Sequence, residues 1–104
     1  MVGKYEVVTL CGSMKFSKHF IEQQKRLTLE GKIVVSVGFF DNDSEVINKE
    51  QKIMLDDMHK RKIDMSDGIF VINVGGYIGS STRSEIDYAL YTGKVVDYLE
   101  KTNI

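Results

Sequence analysis

The stretch MSDGIFVINVGGYIGSSTRSEIDYAL, residues 65–90, runs from a break through a strand and a glycine-rich loop into a helix. Ser66-Asp67-Gly68 interrupts what precedes it. Residues 69–74 (IFVINV) are apolar nearly throughout, the pattern of a strand covered on both faces. Gly75-Gly76-Tyr77-Ile78-Gly79-Ser80-Ser81 reads as a loop. Residues 82–92 return to helical spacing, with Ile86, Ala89 and Leu90 inward, and Gly93 stands where a helix C-terminal glycine belongs. A buried strand that passes through a Gly/Ser loop into a helix is half of a β-α-β unit.

The rest of the chain repeats this alternation. Residues 6–10 (EVVTL) form a β-branched strand bounded by Cys11-Gly12-Ser13. A helical pattern over 16–30 puts Phe16, Phe20 and Leu27 on one face, and Gly31 follows. Residues 33–37 (IVVSV) are a second strand, Asp41-Asn42-Asp43-Ser44 a turn, and 45–65 a long helix with Ile47, Met54, Met58 and Met65 as its apolar stripe. Residues 95–99 make a fourth strand. The order β-α-β-α-β-α-β predicts an α/β fold with a parallel sheet covered by helices on both sides. Right-handed crossovers give the strand order 2-1-3-4. Winding then reverses between strands 1 and 3, and ligands in open α/β sheets bind at such a point, beyond the carboxyl ends of the strands.

The bulk properties narrow the function. A chain of 104 residues is one domain, 1–104. Its net charge of −1 supplies no field for a nucleic acid polymer or an anionic membrane. No apolar run approaches the ~20 residues that span a bilayer, and the opening residues do not read as a signal peptide. The single cysteine, Cys11, makes an intramolecular disulfide impossible and fits a reducing, cytoplasmic location. So short a chain buries a modest core and gains from a symmetry mate, which predicts a homodimer or higher homo-oligomer.

Two loops meet at the predicted crevice: residues 11–15 after the first strand and 75–81 after the third. Each opens a helix, whose free N–H groups and partial positive charge suit an anion. Glycines let a ligand approach the backbone, Ser13 and Ser81 add hydroxyls, and Lys15 and Arg83 add charge. The same residues also suit a simple capped turn, and Arg83 has Asp87 one turn on. Glu85, expected in the first turn of the last helix, reads two ways. It is an ionised carboxylate able to attack an anomeric carbon, or it closes a capping box with Thr82. His59 can exchange a proton near neutrality, or it is a partly exposed helix residue beside Lys60, Arg61 and Lys62. Two scattered histidines and one cysteine show no metal-ligand spacing, so neither metal nor cofactor is expected.

VTLCGSMKF (8–16), the segment 65–90 and GKVV (93–96) together resemble the nucleoside 2-deoxyribosyltransferase superfamily, which includes the 2'-deoxynucleoside 5'-phosphate N-hydrolases. The likeness is nearest to small bacterial and phage members and spans nearly the whole chain. It implies a flavodoxin-like three-layer sandwich, an oligomer, and cleavage of an N-glycosidic bond, with transfer of the sugar to a second base or to water. It casts Glu85 as nucleophile and Gly12, Ser13, Lys15, Gly79 and Ser81 as sugar-phosphate contacts. The family's proton-assisting aspartate has no direct match. His59 is the nearest equivalent, with Asp57 half a turn away.

The expectation is therefore cleavage or transfer at the N-glycosidic bond of a (deoxy)nucleotide or nucleoside. Glu85 attacks, His59 or Asp57 serves the leaving base, and Gly12, Ser13, Lys15, Gly79, Ser81 and Arg83 hold the substrate. A non-catalytic nucleotide-binding module of the same fold is the alternative, and a plain interaction domain is a third.

Overall fold

The computed structural model describes residues 3–38 and 47–101. Its elements are β1 (Val7–Gly12), α1 (Ser17–Leu29), β2 (Ile33–Val35), α2 (Lys49–Asp64), β3 (Gly68–Ile72), α3 (Ser80–Tyr91) and β4 (Val95–Tyr98). One parallel sheet of four strands has the order β2-β1-β3-β4, the expected 2-1-3-4.

Alternation along the two central strands divides the core in two. Val8, Leu10, Phe70 and Ile72 point to one face and pack with Phe20 and Leu27 of α1. Cys11, Ile69 and Val71 point to the other and pack with Ile63 of α2 and with Ile86 and Ala89 of α3. One helix covers one face and two helices the other. This is the three-layer, flavodoxin-like α/β arrangement, and the crevice lies where winding reverses between β1 and β3.

Several element readings need correction. β1 extends two residues past the expected end, because Cys11 and Gly12 still pair with Val71 and Ile72. The expected turn at 41–44 and the helix start at Glu45 fall outside the described residues. Asn48 is the N-cap of α2, in a reciprocal capping box with Gln51. The methionine stripe of α2 is not its inner face: Met54, Met58 and Met65 are exposed, while His59 and Ile63 are buried. The inner face is partly polar because it forms a cavity wall, so the apolar signal marked it only in part: Ile47 and Met58 border the cavity and Met54 and Met65 do not. α3 begins at Ser80, two residues early, and Leu90 is exposed while Thr82, Ile86 and Ala89 are buried.

Candidate functional site

β1 ends at Gly12, pressed against β3. A Cβ there would stand 2.9 Å from the Ile72 carbonyl oxygen and 3.0 Å from the Ile72 Cβ, so no larger residue fits without displacement. Ser13 follows in an extended conformation and caps the 3-10 turn Met14–Phe16, its hydroxyl accepting from the Lys15 amide at 3.4 Å. On the neighbouring strand, Gly75 and Gly76 turn the chain at φ of 65° and 82°, a conformation that favours glycine. Gly79 then caps α3.

These two loops and the inner face of α2 enclose a cavity of about 480 Å³. Its wall includes Gly12, Ser13, Lys52, His59, Ser81 and Glu85. A volume of this order suits a small-molecule ligand.

At this wall three side chains converge, Cys11 from behind and His59 and Glu85 from the lining. The Cys11 Sγ lies 3.4 Å from the His59 Nε2, and that nitrogen lies 3.8 Å from the Glu85 Oε1. All three are withdrawn from solvent: Cys11 is 0% exposed, His59 8%, and the Glu85 side chain 13%. Burial disfavours the charged form of each group. It lowers the pKa of His59 from 6.5 to about 4, helped by the nearby Lys62 ammonium and opposed by a backbone hydrogen bond at Leu10 and by Asp56. It raises that of Glu85 from 4.5 to about 7. The Cys11 hydrogen bond and the charges of Lys52 and Lys60 pull it back, and Asp56 adds to the rise. Cys11 is pushed well above its usual range, by burial first and then by Glu85. At neutrality the cluster is a thiol, a neutral imidazole and a carboxyl group near its midpoint.

The cavity gathers some of the expected site residues and not others. Gly12, Ser13, Gly79, Ser81, His59 and Glu85 all line it. Asp57 does not. Its side chain is 72% exposed and faces Arg61 at 3.8 Å. Lys15 lies over the Tyr77 ring, its ammonium 3.6 Å from the centroid, and Arg83 lies on the exposed side of α3; neither lines the cavity. Glu85 is in the second turn of α3, and Thr82 is inside the helix and buried, so no capping box forms between them. Nor is Glu85 held ionised, as its position in the sequence suggested, because desolvation outweighs the nearby positive charge.

Sequence reasoning passed over Lys52, Asp56, Lys62 and the partnership of Cys11. The Lys52 ammonium bonds both Asp56 carboxylate oxygens, at 2.7 and 2.9 Å, and the Ser81 hydroxyl at 3.1 Å, tying α2 to the start of α3. A signal existed: Lys52, Asp56, His59 and Ile63 recur at i, i+4, i+7 and i+11, one helical stripe. It is polar, and a search for apolar periodicity does not find it.

No protein-family model and no curated protein matches the chain. Among solved structures, a conserved protein from Enterococcus faecalis V583 is similar in fold, with a TM-score of 0.62 at 15% sequence identity. The likeness covers 91% of this chain and 63% of that protein, so this chain spans less than two thirds of its length.

Proposed function

We propose that this protein cleaves or transfers at the N-glycosidic bond of a deoxynucleotide or nucleoside, with Glu85 as nucleophile. The observation that carries the reading is a desolvated carboxyl group in the wall of a ligand-sized cavity at the sheet's switch point, between two Gly/Ser loops. The resemblance of residues 8–16 and 65–90 to deoxyribosyltransferases supports the same assignment. In this reading the ionised fraction of Glu85 attacks the anomeric carbon, the bond to the base breaks, and water or a second base later releases the sugar.

The phosphate or sugar hydroxyls sit against the backbone at Gly12 and Ser13 and at Gly79 to Ser81, with Lys52 supplying charge. His59 is neutral at physiological pH and its Nε2 is paired with the Cys11 thiol, so the departing base takes its proton from water at the cavity mouth. A homo-oligomer, formed through the apolar outer side of α2, belongs to the same proposal. The binding-module alternative draws support from one feature: a neutral histidine stands nearest the place where the related enzymes have an aspartate.

Incubation of purified protein with mixed deoxynucleoside monophosphates and nucleosides, followed by chromatography of free bases, separates the two. Base release that disappears in Glu85→Gln is expected. Saturable nucleotide binding with no release from the parent protein overturns the catalytic reading in favour of the module.

A further inference from the structure

Cys11, His59 and Glu85 approach one point from β1, α2 and α3. Their donor atoms, Sγ, Nε2 and a carboxylate oxygen, all lie within 4.8 Å of one another. We propose that these three side chains form a binding site for a thiophilic divalent cation, Zn²⁺ foremost, with a fourth coordination position facing the cavity. This goes beyond the glycosidic reading, although it shares Glu85 with it.

Geometry carries the argument. A tetrahedral zinc centre with Zn–S of about 2.3 Å and Zn–N and Zn–O of about 2.0 Å has an S···N edge of about 3.5 Å and an N···O edge of about 3.3 Å. The edges here are 3.4 Å and 3.8 Å. Three elements far apart in sequence thus set two of the three edges close to the spacing the ion requires, and the third, sulfur to oxygen, lies within 4.8 Å. Three protein ligands of mixed type with one position open to a cavity is the pattern of zinc sites that bind an exchangeable ligand.

The surroundings agree. The Leu10 backbone lies near enough to the His59 ring to favour its protonated form, and an outer contact of this kind orients a ligating imidazole. His59 is a neutral donor at physiological pH. Two of the nearby ammonium groups are engaged elsewhere, Lys52 with Asp56 and Lys62 with the Ser36 carbonyl at 2.9 Å, while the charge of Lys60 also reaches Glu85 and opposes the cation. His59 and Glu85 line the cavity and Cys11 lies behind them, which leaves the ion a path of entry.

Binding forms Zn–S, Zn–N and Zn–O bonds. The Cys11 thiol proton, and the Glu85 proton where one is present, pass to the buffer, and no group changes oxidation state. A carboxylate whose charge is drawn onto the ion is a much weaker nucleophile, so zinc binding is expected to suppress glycosidic turnover.

The test begins with chelator-stripped protein titrated with Zn²⁺ alone against a chromophoric chelator, and in parallel with Co²⁺ alone by absorption. One equivalent of Zn²⁺ is expected, with a sulfur-to-cobalt charge-transfer band in the near ultraviolet. Cys11→Ser, checked for folding by circular dichroism, should lose that band. It should also bind zinc more weakly by at least the roughly tenfold to hundredfold seen when an outer-shell partner is removed. If Cys11→Ser does not fold, the parent's cobalt spectrum decides. Absence of the cobalt–sulfur band with no zinc uptake overturns the site, as does zinc affinity unchanged in folded Cys11→Ser. Base release by a protein that binds no zinc sinks the metal site alone. One equivalent of zinc with no base release, even under chelation, sinks the glycosidic reading alone.

Discussion

Glu85 and His59 are each held near neutrality by the same burial, and each responds to pH in the opposite sense. Folding favours the protonated form of Glu85. Its contribution to stability is full below about pH 4.5 and is lost as pH rises through about 7. Folding favours neutral His59, whose contribution is full above about pH 6.5 and is lost as pH falls through about 4. Between these limits the two slopes oppose, so the pair leaves the melting temperature nearly level. Glu85→Gln removes one slope, and in chelator-containing buffer its melting temperature should climb with pH between about 4.5 and 6.5 relative to the parent. Calorimetric profiles of the two proteins that run parallel across that window would falsify this account. The same variant should lose base release roughly a thousandfold or more while folding normally, since it loses a reacting group and no capping bond. A clearly destabilised yet active variant would show that the carboxylate serves structure alone. That Glu85 stands at the crevice was legible from STRSE and the Gly/Ser loop before it. Its charge state was not, because desolvation by Cys11, His59 and the α2 wall arises only when three distant segments meet.

At the scale of the element, the strand-loop-helix units were the easiest part to read, because continuous apolar runs and closing glycines are local signals. Register at the strand ends was not, since it depends on a neighbour: β1 runs on to Gly12 because β3 offers Val71 and Ile72 as partners. Gly12→Ala should therefore be harmful, and the φ of 156° at this position is one that L side chains rarely adopt. The added Cβ meets the Ile72 backbone, and the variant should lose roughly 1–3 kcal/mol of stability, read by denaturant unfolding. An unchanged midpoint would mean that β1 and β3 separate there without penalty. α2 was the element read least well. Its inner stripe of Lys52, Asp56, His59 and Ile63 mixes charge with one aliphatic residue, and the methionines, of which only Met58 borders the cavity, gave the stronger apolar pattern. Its true start is fixed by the Asn48–Gln51 capping box. Asn48→Ala should lower stability by about 1 kcal/mol and the melting temperature by roughly 4–8 °C. No change in the thermal melt would show that packing of Ile63 and His59 alone anchors the helix.

For the molecule as a whole, the sheet order followed from alternation and crossover handedness, and both were visible in the sequence. Its surface was not, because the same methionines that suggested a core face lie outside. Ile53, Met54, Met58 and Met65 on α2 and Leu90 and Tyr91 at the end of α3 are all large apolar residues exposed to solvent. Singly such residues are ordinary, but several on one helix of a small domain mark a surface that gains from being covered. Met58 also lines the cavity, so a second copy seated on α2 would reach the cavity mouth and narrow it. Ile53 and Met54 lie outside the cavity wall, and a charge there should disrupt association without touching bound substrate. The parent is expected to sediment as a dimer or larger species at tens of micromolar, a concentration at which weak interfaces of micromolar affinity are largely formed. Ile53→Glu with Met54→Lys should shift it to monomer with the fold intact. If the parent is already a monomer under those conditions, the outer face of α2 is not an interface between copies. The cavity is then formed by one chain alone.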